Sequence, residues 1–580
     1  MYPVKRKISF DDYSNKETNK LQCKFDQKTI PITSIENLST EIFYEIFDYL
    51  DGYEIYQAFS NLNHHFQQII NSSSLLLKFK IDSPSDQSFM NIYKQLTLIN
   101  KRQILSFNIE LTYKSSELFT SYFIDSSLDH LESLVLIEFE TTILISLLMK
   151  LTYLPRLFSL TICMFDTWDE LSEIYCLIFA LPKLIYIKCS PIEVGVGISL
   201  PIATNQKSNT IEYIVIDHVC TLDEFCAILS YIPQLRHCHF KEVYDDNQIN
   251  IDTTIQIKLF NIKCISMKDC EIEFDRFEQL IRKIGCQLQV LHVTNECDND
   301  KYLDANRWKT LILDYLPHLK EFFLKCYKDV ENKSAIRIDF ERIKLFTSLF
   351  WIERKLILEM EVTDFQIIYS IRPFKKRWYN INSFIDFSKS TQLTMTCFPG
   401  DEYFETFRSA NGTVLPVAEI YHLETSKQTI ISGSLMKILN ELPELDSLKI
   451  FRLSISQIRY SFIDDQNFRL VSYQNKITKV YLENVNKSEE VYFLLKLCPR
   501  MKYFKMNFIY NIDYKLFVRN FLRIINSNRH QYLQSLYFQI SKINIQIINE
   551  LEEMINHEKL LRHFTIKHIL NYIHLEWKLI

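Results

Sequence analysis

One apolar pattern recurs along most of this chain, and its spacing restricts the possible folds more than any other feature. The pattern places an apolar residue at the first, fourth and sixth positions of a short segment. Between residues 104 and 324 its first positions lie 24 to 31 residues apart, mostly 26 or 27. Such a period indicates stacked strand-turn-helix units, because one unit cannot bury its apolar face alone. The matches are Ile104-Phe107-Ile109, Leu131-Leu134-Leu136, Leu157-Leu160-Ile162, Leu184-Ile187-Cys189, Ile211-Ile214-Ile216, Leu235-Cys238-Phe240, Ile262-Ile265-Met267, Leu288-Leu291-Val293 and Leu319-Phe322-Leu324.

The same pattern returns near the C-terminus after a gap of about four periods. These later matches are Leu445-Leu448-Ile450, Ile477-Val480-Leu482, Met501-Phe504-Met506, Leu533-Leu536-Phe538 and Leu561-Phe564-Ile566. The intervening region is aromatic and mixed in composition, and its short alternating runs indicate strands. It contains either degenerate repeats with long strands or an insertion.

The unit that starts at Ile211 shows the expected local structure. Strand alternation places Ile214 and Ile216 on the same side of a strand. Thr221 and Glu224 then have the spacing of a capping box at a helix start. Apolar residues at helical spacing follow, until Pro233 ends the helix. Those apolar residues are Phe225, Ile228, Leu229 and Ile232.

We therefore predict an α/β fold, in which a short all-helical N-terminal module precedes a solenoid. In that solenoid a parallel sheet forms the concave side and helices form the convex side. The predicted segments are a disordered tail at 1–33, the helical module at 34–80, repeats at 81–325, irregular or degenerate repeats at 326–440, and repeats with a C-terminal cap at 441–580.

The helical module is predicted from apolar residues at helical spacing between residues 38 and 62. Leu38, Ile42, Ile46, Phe47 and Leu50 form a first helical pattern, and Asp51-Gly52 breaks the chain before a second one. The second pattern consists of Ile55, Ala58, Phe59 and Leu62. Three short helices make too small a core to be stable alone, so a partner is expected to cover the apolar face.

The module resembles the F-box family. The residues that carry the resemblance are Leu38-Ser39, Glu41-Ile42, Ile46-Phe47, Tyr49-Leu50, Glu54-Ile55, Ala58-Phe59 and Phe66. Ser39 stands where the family usually has Pro, and Phe66 stands where Trp is common. Several repeats also place a cysteine beside the strand, similar to the cysteine-containing repeats of F-box proteins with leucine-rich repeats. Those cysteines are Cys220, Cys270, Cys286 and Cys498, and their apolar surroundings predict buried thiols.

The resemblance implies a substrate-recognition subunit of a cullin-based, SCF-type ubiquitin ligase, without catalytic residues of its own. Its partners would be a Skp-type adaptor, through it a cullin, and a protein substrate. The implied adaptor-binding residues are Leu38, Ile42, Ile46, Phe47, Leu50, Ile55, Phe59 and Phe66, some of which must face the core of the module instead. The substrate would lie on the concave strand face, at Glu212, Val215, Arg236, His239, Lys320 and Phe323.

Two alternatives stay open. The first is an interaction scaffold of the same fold outside any ligase, and the second is an enzyme with a site between Cys326 and Asn440. That region contains the densest basic and aromatic cluster of the chain. It would bind an acidic or phosphorylated ligand, or form a solvated face. The cluster consists of Arg372, Lys375, Lys376 and Arg377 with Trp378 and Tyr379.

Composition argues against several other functions. The chain has 580 residues, a net charge of −5 and 7 glycines, so neither a basic field for nucleic acid nor a phosphate-binding loop is expected. The 14 cysteines form no metal-ligand pattern, and no cofactor or metal is expected. The N-terminus lacks an apolar secretion signal, and no long apolar span predicts a membrane helix. We expect a cytoplasmic or nuclear protein, without an obligate homo-oligomer.

Overall fold

The computed structural model divides the chain into two compact units, Met1–Leu75 and Leu76–Ile580. It describes residues 35, 38–83, 86–164, 171–191, 198–203, 209–245, 261–296, 300–329, 343–363, 366–377, 379, 391–396, 420–426, 428–455, 466–508, 513–528, 532–539, 545–569 and 571–578. The tail predicted at 1–33 lies outside the described residues, as does much of the region 326–440. Within the described part of the chain, no helix is both long enough and apolar enough to span a membrane.

The first unit consists of three short helices, as the sequence predicts. They are α1 (Thr40–Phe47), α2 (Gly52–Phe59) and α3 (His64–Ile70). The side chain of Asp51 caps α2 by accepting from the backbone N–H of Tyr53 at 2.8 Å. Asn63 caps α3 by accepting from the N–H of Phe66 at 3.0 Å. These caps define the two chain breaks between the helices.

The second unit alternates strands with helices. Its strands are β1 (Leu77–Ser83), β2 (Ile104–Leu111), β3 (Ser133–Phe139), β4 (Ser159–Met164), β5 (Tyr186–Pro191), β6 (Tyr213–Thr221), β7 (His237–Tyr244), β8 (Cys264–Glu271), β9 (Val290–Asn295), β10 (Glu321–Asp329), β11 (Leu356–Val362), β12 (Gln366–Pro373), β13 (Gln392–Met395), β14 (His422–Thr425), β15 (Thr429–Ile431), β16 (Ser447–Ser454), β17 (Lys479–Val485), β18 (Tyr503–Phe508), β19 (Ser535–Gln539), β20 (Phe564–Ile569) and β21 (Tyr572–Trp577). Its α-helices are α4 (Asp86–Leu96), α5 (Tyr113–Leu118), α6 (Thr141–Leu151), α7 (Leu171–Phe179), α8 (Leu222–Ser230), α9 (Phe274–Ile284), α10 (Ala305–Tyr315), α11 (Leu349–Glu353), α12 (Ser432–Glu441), α13 (Gln466–Gln474), α14 (Ser488–Leu497), α15 (Tyr514–Asn528) and α16 (Ile545–His557). Short 3-10 turns lie at Lys101–Gln103, Gly285–Gln287, Asp300–Leu303 and Leu345–Thr347, and a π-turn lies at Phe119–Phe123.

All strands of the described residues belong to one long, mostly parallel sheet. Strands β1 to β10 pair in parallel, each with the next along the chain. Strand β12 then lies antiparallel between β10 and β11. Parallel pairing resumes from β11 through β13, β14 and β16 to β19, and β15 also pairs in parallel with β16. At the far edge, β21 lies antiparallel between β19 and β20.

The repeated apolar positions form the buried face of this sheet. In adjacent strands the fourth positions of the pattern lie in register, as Leu134, Leu160 and Ile187 do. All three side chains are buried. The helices pack against this face: Phe225 of α8 contacts Phe240 of β7, with ring centroids 4.5 Å apart. Burying one strand face and one helix face per repeat stabilises the stack through its neighbours.

The predicted fold class is therefore confirmed, as an α/β chain with an all-helical N-terminal module and a long, mostly parallel sheet. The details predicted for the unit at Ile211 also hold. Thr221 and Glu224 form the capping box, with the N–H of Glu224 donating to Thr221 Oγ1 at 3.1 Å. Helix α8 ends just before Pro233.

Three predicted details need correction. The boundary of the helical module at residue 80 is too late, because β1 begins at Leu77 and already pairs with β2. The last predicted repeat, at Leu561, does not extend the parallel ladder, because β21 occupies the position beside β19. Cys286, predicted as a buried thiol, is exposed, whereas Cys220, Cys270 and Cys498 are buried.

Candidate binding surfaces

Helix α1 presents apolar side chains on two of its sides. Phe43 and Phe47 point into the module, where Phe43 contacts Phe66 and Phe47 contacts Phe59, each with ring centroids 5.1 Å apart. On the other side, Ile42 is 42% exposed and Ile46 is 37% exposed. Tyr49, in the turn two residues after the helix, is 91% exposed. Residues three and four apart share one side of a helix. We call Ile42, Ile46 and Tyr49 the outer stripe.

The structure sorts the eight predicted adaptor-binding residues into three groups. Ile42 and Ile46 are exposed, and Leu38, Leu50 and Phe59 are half-buried. Phe47, Ile55 and Phe66 are buried in the core of the module and are removed from the predicted contact surface. They are core residues because their rings and side chains fill the space between three short helices. The prediction also omitted Tyr49, an exposed aromatic residue in the turn after α1.

Three of the six predicted substrate-binding residues lie on one row of the sheet. Val215 on β6 is in register with His239 on β7, and the row continues through β8 and β9 to Phe323 on β10. Each of the three alternates with buried neighbours and faces away from the helices. We call this side of the sheet its open face. On the same row, His292 packs edge-on against Phe323, with ring centroids 5.7 Å apart.

The other three predicted substrate-binding residues lie just before their strands. Glu212 and Arg236 form an ion pair of 3.4 Å, and both are solvent-accessible. Lys320 donates from Nζ to Gln289 Oε1 at 3.2 Å. Exposed ion pairs of this kind contribute little to stability, about 0–1 kcal/mol. All three side chains are accessible to solvent at the starts of their strands.

A denser polar and aromatic surface lies on the open face of β17 to β21, where no site was predicted. Tyr481, Lys505, Tyr537 and His574 are in register on β17, β18, β19 and β21. Lys505 Nζ lies 4.8 Å from the ring centroid of Tyr481 and 4.1 Å from that of Tyr572. Tyr537 and His574 stack at 4.0 Å. We call these five residues the aromatic row. Their position between apolar residues in each strand was the signal available from the sequence.

The basic cluster predicted from the sequence lies near the reversal of the sheet, and one of its cations, Arg372, pairs with a carboxylate. Arg372 binds Glu359 with two hydrogen bonds, one of them from Nη2 at 2.7 Å. Lys449 pairs with Glu424 at 2.5 Å, and the Tyr379 hydroxyl lies 2.9 Å from His422 Nδ1. A cavity of about 220 Å³ lies among these groups. Lys375 and Lys376 line it and are exposed, and Trp378 lies outside the described residues.

Tyr175 and His218, two buried titratable groups of the repeats, are hydrogen-bonded to each other. The Tyr175 hydroxyl lies 2.7 Å from His218 Nε2, and His218 Nδ1 lies 2.8 Å from the carbonyl oxygen of Val219. Burial lowers the pKa of His218, so the neutral ring accepts from Tyr175 and donates to Val219. Burial also raises the pKa of the Cys498 thiol. Across the described ranges, no group of three or more His, Cys, Asp or Glu side chains could hold a metal ion.

One carboxylate group is destabilised by its neighbours at neutral pH. Burial, together with the nearby Glu296, Glu271 and Glu242, raises the pKa of Asp269 to about 6. Asp269 lies on β8, in register with Glu242 on β7. Because the folded-state pKa is raised, the contribution of Asp269 to stability is expected to fall as the pH rises from about 4 to about 7.

Replacing Asp269 with Asn is therefore expected to stabilise the chain at pH 7.5, by about 1 kcal/mol after solvent screening is allowed for. The gain should shrink as the pH falls through 6 and vanish near pH 4, where wild-type Asp269 is protonated in both folded and unfolded states. Thermal unfolding at several pH values measures this, with the exposed Asp314→Asn as the matched control. A gain that is independent of pH would contradict the explanation.

Comparisons with known proteins do not assign the chain to a family. No family model matches it, and no curated protein matches it. Among solved structures, the crystal structure of the Rad7 and Elc1 complex in yeast contains a chain with 10% sequence identity and a TM-score of 0.20. That alignment covers 80% of this chain and 87% of the other. The crystal structure of the TLR13-ssRNA13 complex aligns at 10% identity over 74% of this chain and 48% of the other, with a TM-score of 0.22. Both TM-scores are too low to indicate that these chains share a fold with this one.

Proposed function

We propose that the chain is a substrate-recognition subunit of a cullin-based, SCF-type ubiquitin ligase, in which the helical module binds a Skp-type adaptor. The outer stripe is the observation that carries this proposal. Helix α1 already supplies the core through Phe43 and Phe47, and it exposes a second set of apolar side chains. A contiguous exposed apolar patch on a small module indicates a protein interface.

The spacing of the outer stripe suits the insertion of one helix side into a groove. Ile42 and Ile46 are four residues apart and Tyr49 follows three residues later, the spacing of the anchor residues in helix-in-groove complexes. Tyr and branched aliphatic side chains bury apolar area without a charge to desolvate. The buried Phe residues beneath the stripe hold α1 in place for this contact.

In this role the chain itself performs no chemistry. The open face of the sheet binds the substrate, and the adaptor connects it to the cullin. The chain would act by raising the local concentration of the substrate near the transferring enzyme. The row with Val215, His239 and Phe323 supports this role, because all three side chains are partly solvent-accessible on one continuous sheet. In the aromatic row, Lys505, Tyr537 and Tyr572 are also partly accessible, whereas Tyr481 and His574 are buried.

The second candidate function is an interaction scaffold outside any ligase. A scaffold would bind its partners through the same open face, but its outer stripe would bind no adaptor. Co-expression of the full chain with a Skp-type adaptor distinguishes the two. We expect a stable complex that elutes as one species in size-exclusion chromatography. A folded chain that elutes without the adaptor would favour the scaffold.

A further inference from the structure

A cavity of about 410 Å³ lies where the sheet reverses direction. Because β12 is antiparallel to its neighbours, its end lies beside the starts of β10 and β11, and Pro373 is in register with Leu356. Helix α10 closes one side through Ile312. Cavities of roughly 300–1,000 Å³ are typical of small-molecule sites.

The floor of this cavity is apolar. Ile312, Phe322 and Leu356 are buried, and Pro373 and Phe374 are half-buried beside them. Leu319, the first residue of a repeat pattern, completes the apolar lining. Such a lining favours a hydrocarbon or aromatic body over a fully polar ligand.

The rim of the cavity carries three cations and no carboxylate. Lys320, Arg354 and Lys355 line it, and all three are exposed. Arg354 lies over the Phe350 ring, 3.8 Å from its centroid, and donates from Nη1 to the Phe350 carbonyl at 3.3 Å. In the described part of the chain, none of the three pairs with a carboxylate within 4.0 Å. This charge contrasts with the smaller cavity near Arg372, where Glu359 and Glu424 are present.

Lys355 also has an unusual backbone conformation. Its φ is 56°, in the left-handed region, and it follows the C-terminal cap of α11, where glycine is the favoured residue. Its N–H donates to the Ile352 carbonyl at 2.9 Å, and its own carbonyl accepts from the N–H of Phe374 at 2.9 Å. A cationic side chain therefore lines the cavity at a position where glycine would cause less strain.

We propose that this cavity binds a small anionic amphiphile. Its apolar body would lie against Phe322 and Leu356, and its carboxylate would lie at the rim between Arg354 and the two lysines. The proposal goes beyond the proposed ligase role, because it concerns a small-molecule site and does not depend on the adaptor.

Isothermal titration of the full chain with octanoate tests the proposal. We expect saturable binding of octanoate in the micromolar to millimolar range. Acetate and 1-octanol should each bind at least about tenfold more weakly, because acetate lacks the apolar body and 1-octanol lacks the carboxylate. Octylammonium, which has the same body and the opposite charge, should not bind in a saturable way. No saturable octanoate binding, or equal binding of 1-octanol, would overturn the proposal.

Variants at Lys355 separate a binding role from a structural one. Lys355→Gly is expected to weaken octanoate binding about threefold to tenfold, while the unfolding temperature stays equal or rises. Lys355→Asn, which also tolerates a positive φ, provides a second variant with the same expected loss of affinity. Lys344→Ala removes an exposed cation that does not line the cavity and should leave binding unchanged. Wild-type affinity in both Lys355 variants would contradict the site.

Discussion

Replacing Ile42 and Ile46 together with Asp is expected to abolish binding of a Skp-type adaptor, with a loss of affinity of about 100-fold or more. Both side chains are exposed on α1, so the fold of the module tolerates the change. In a complex they would occupy the centre of an apolar contact, where burying two unpaired carboxylates is strongly unfavourable. Titration calorimetry with purified adaptor measures the loss, and circular dichroism checks the fold.

The matched control for this variant adds the same charge elsewhere on the module. Gln57 on α2 and Gln68 on α3 are exposed and lie outside the outer stripe. Gln57→Asp with Gln68→Asp should bind the adaptor with an affinity close to that of the wild type. If the stripe variant and this control bind equally well, the outer stripe is not the adaptor surface.

Replacing Trp308 with Ala is expected to cost about 3–5 kcal/mol in the free energy of unfolding. Trp308 on α10 is fully buried, and its Nε1 donates to the Tyr302 carbonyl at 2.8 Å. Its ring contacts Phe274 of the preceding repeat and Phe322 of the following strand, with centroids 5.1 Å and 5.0 Å away. The substitution therefore opens a cavity between neighbouring repeats, whose mutual packing stabilises the stack.

The effect of the Trp308 substitution should be strongest locally. Because repeats contact mainly their neighbours, hydrogen exchange is expected to rise most in α9, α10 and β10. Leu313→Ala removes an exposed side chain from the same helix and should change the stability by less than about 0.5 kcal/mol. Equal losses from the two substitutions would contradict the described packing of α10.

The sequence predicted the repeated part of the fold well because each unit there follows the same pattern. Strands β2 to β10 and β16 to β19 begin within or just after a predicted apolar match. Every match places its fourth and sixth positions on a strand, and the capping box at Thr221 is formed as expected. Local spacing determines such features, because burial of one face imposes the same alternation on every strand.

The direction of a strand was not predictable from the same pattern. Alternation is identical in parallel and antiparallel strands, so nothing in residues 366–373 distinguishes β12 from its neighbours. The same ambiguity led to the wrong prediction at the far edge, where β21 takes the place expected for β20. Pairing depends on residues far apart in the chain, which a local pattern does not report.

The candidate surfaces were only partly predictable for a related reason. The apolar spacing of α1 identified Ile42 and Phe47 equally, and only the packing of three helices shows which one is exposed. The aromatic row brings Tyr481 and His574 onto one surface from positions more than 90 residues apart. Lys355 gave no signal in the sequence, because its left-handed conformation follows from the end of a short helix.

Photocrosslinking from the outer stripe would test the central proposal most directly. A photoreactive amino acid at position 46 of the full chain should capture a Skp-type adaptor on irradiation, whereas the same amino acid at position 68 should not. Capture from position 46 alone is the result we expect for adaptor binding through α1. Capture from neither position by a folded chain, or equal capture from both, would contradict adaptor binding through the outer stripe.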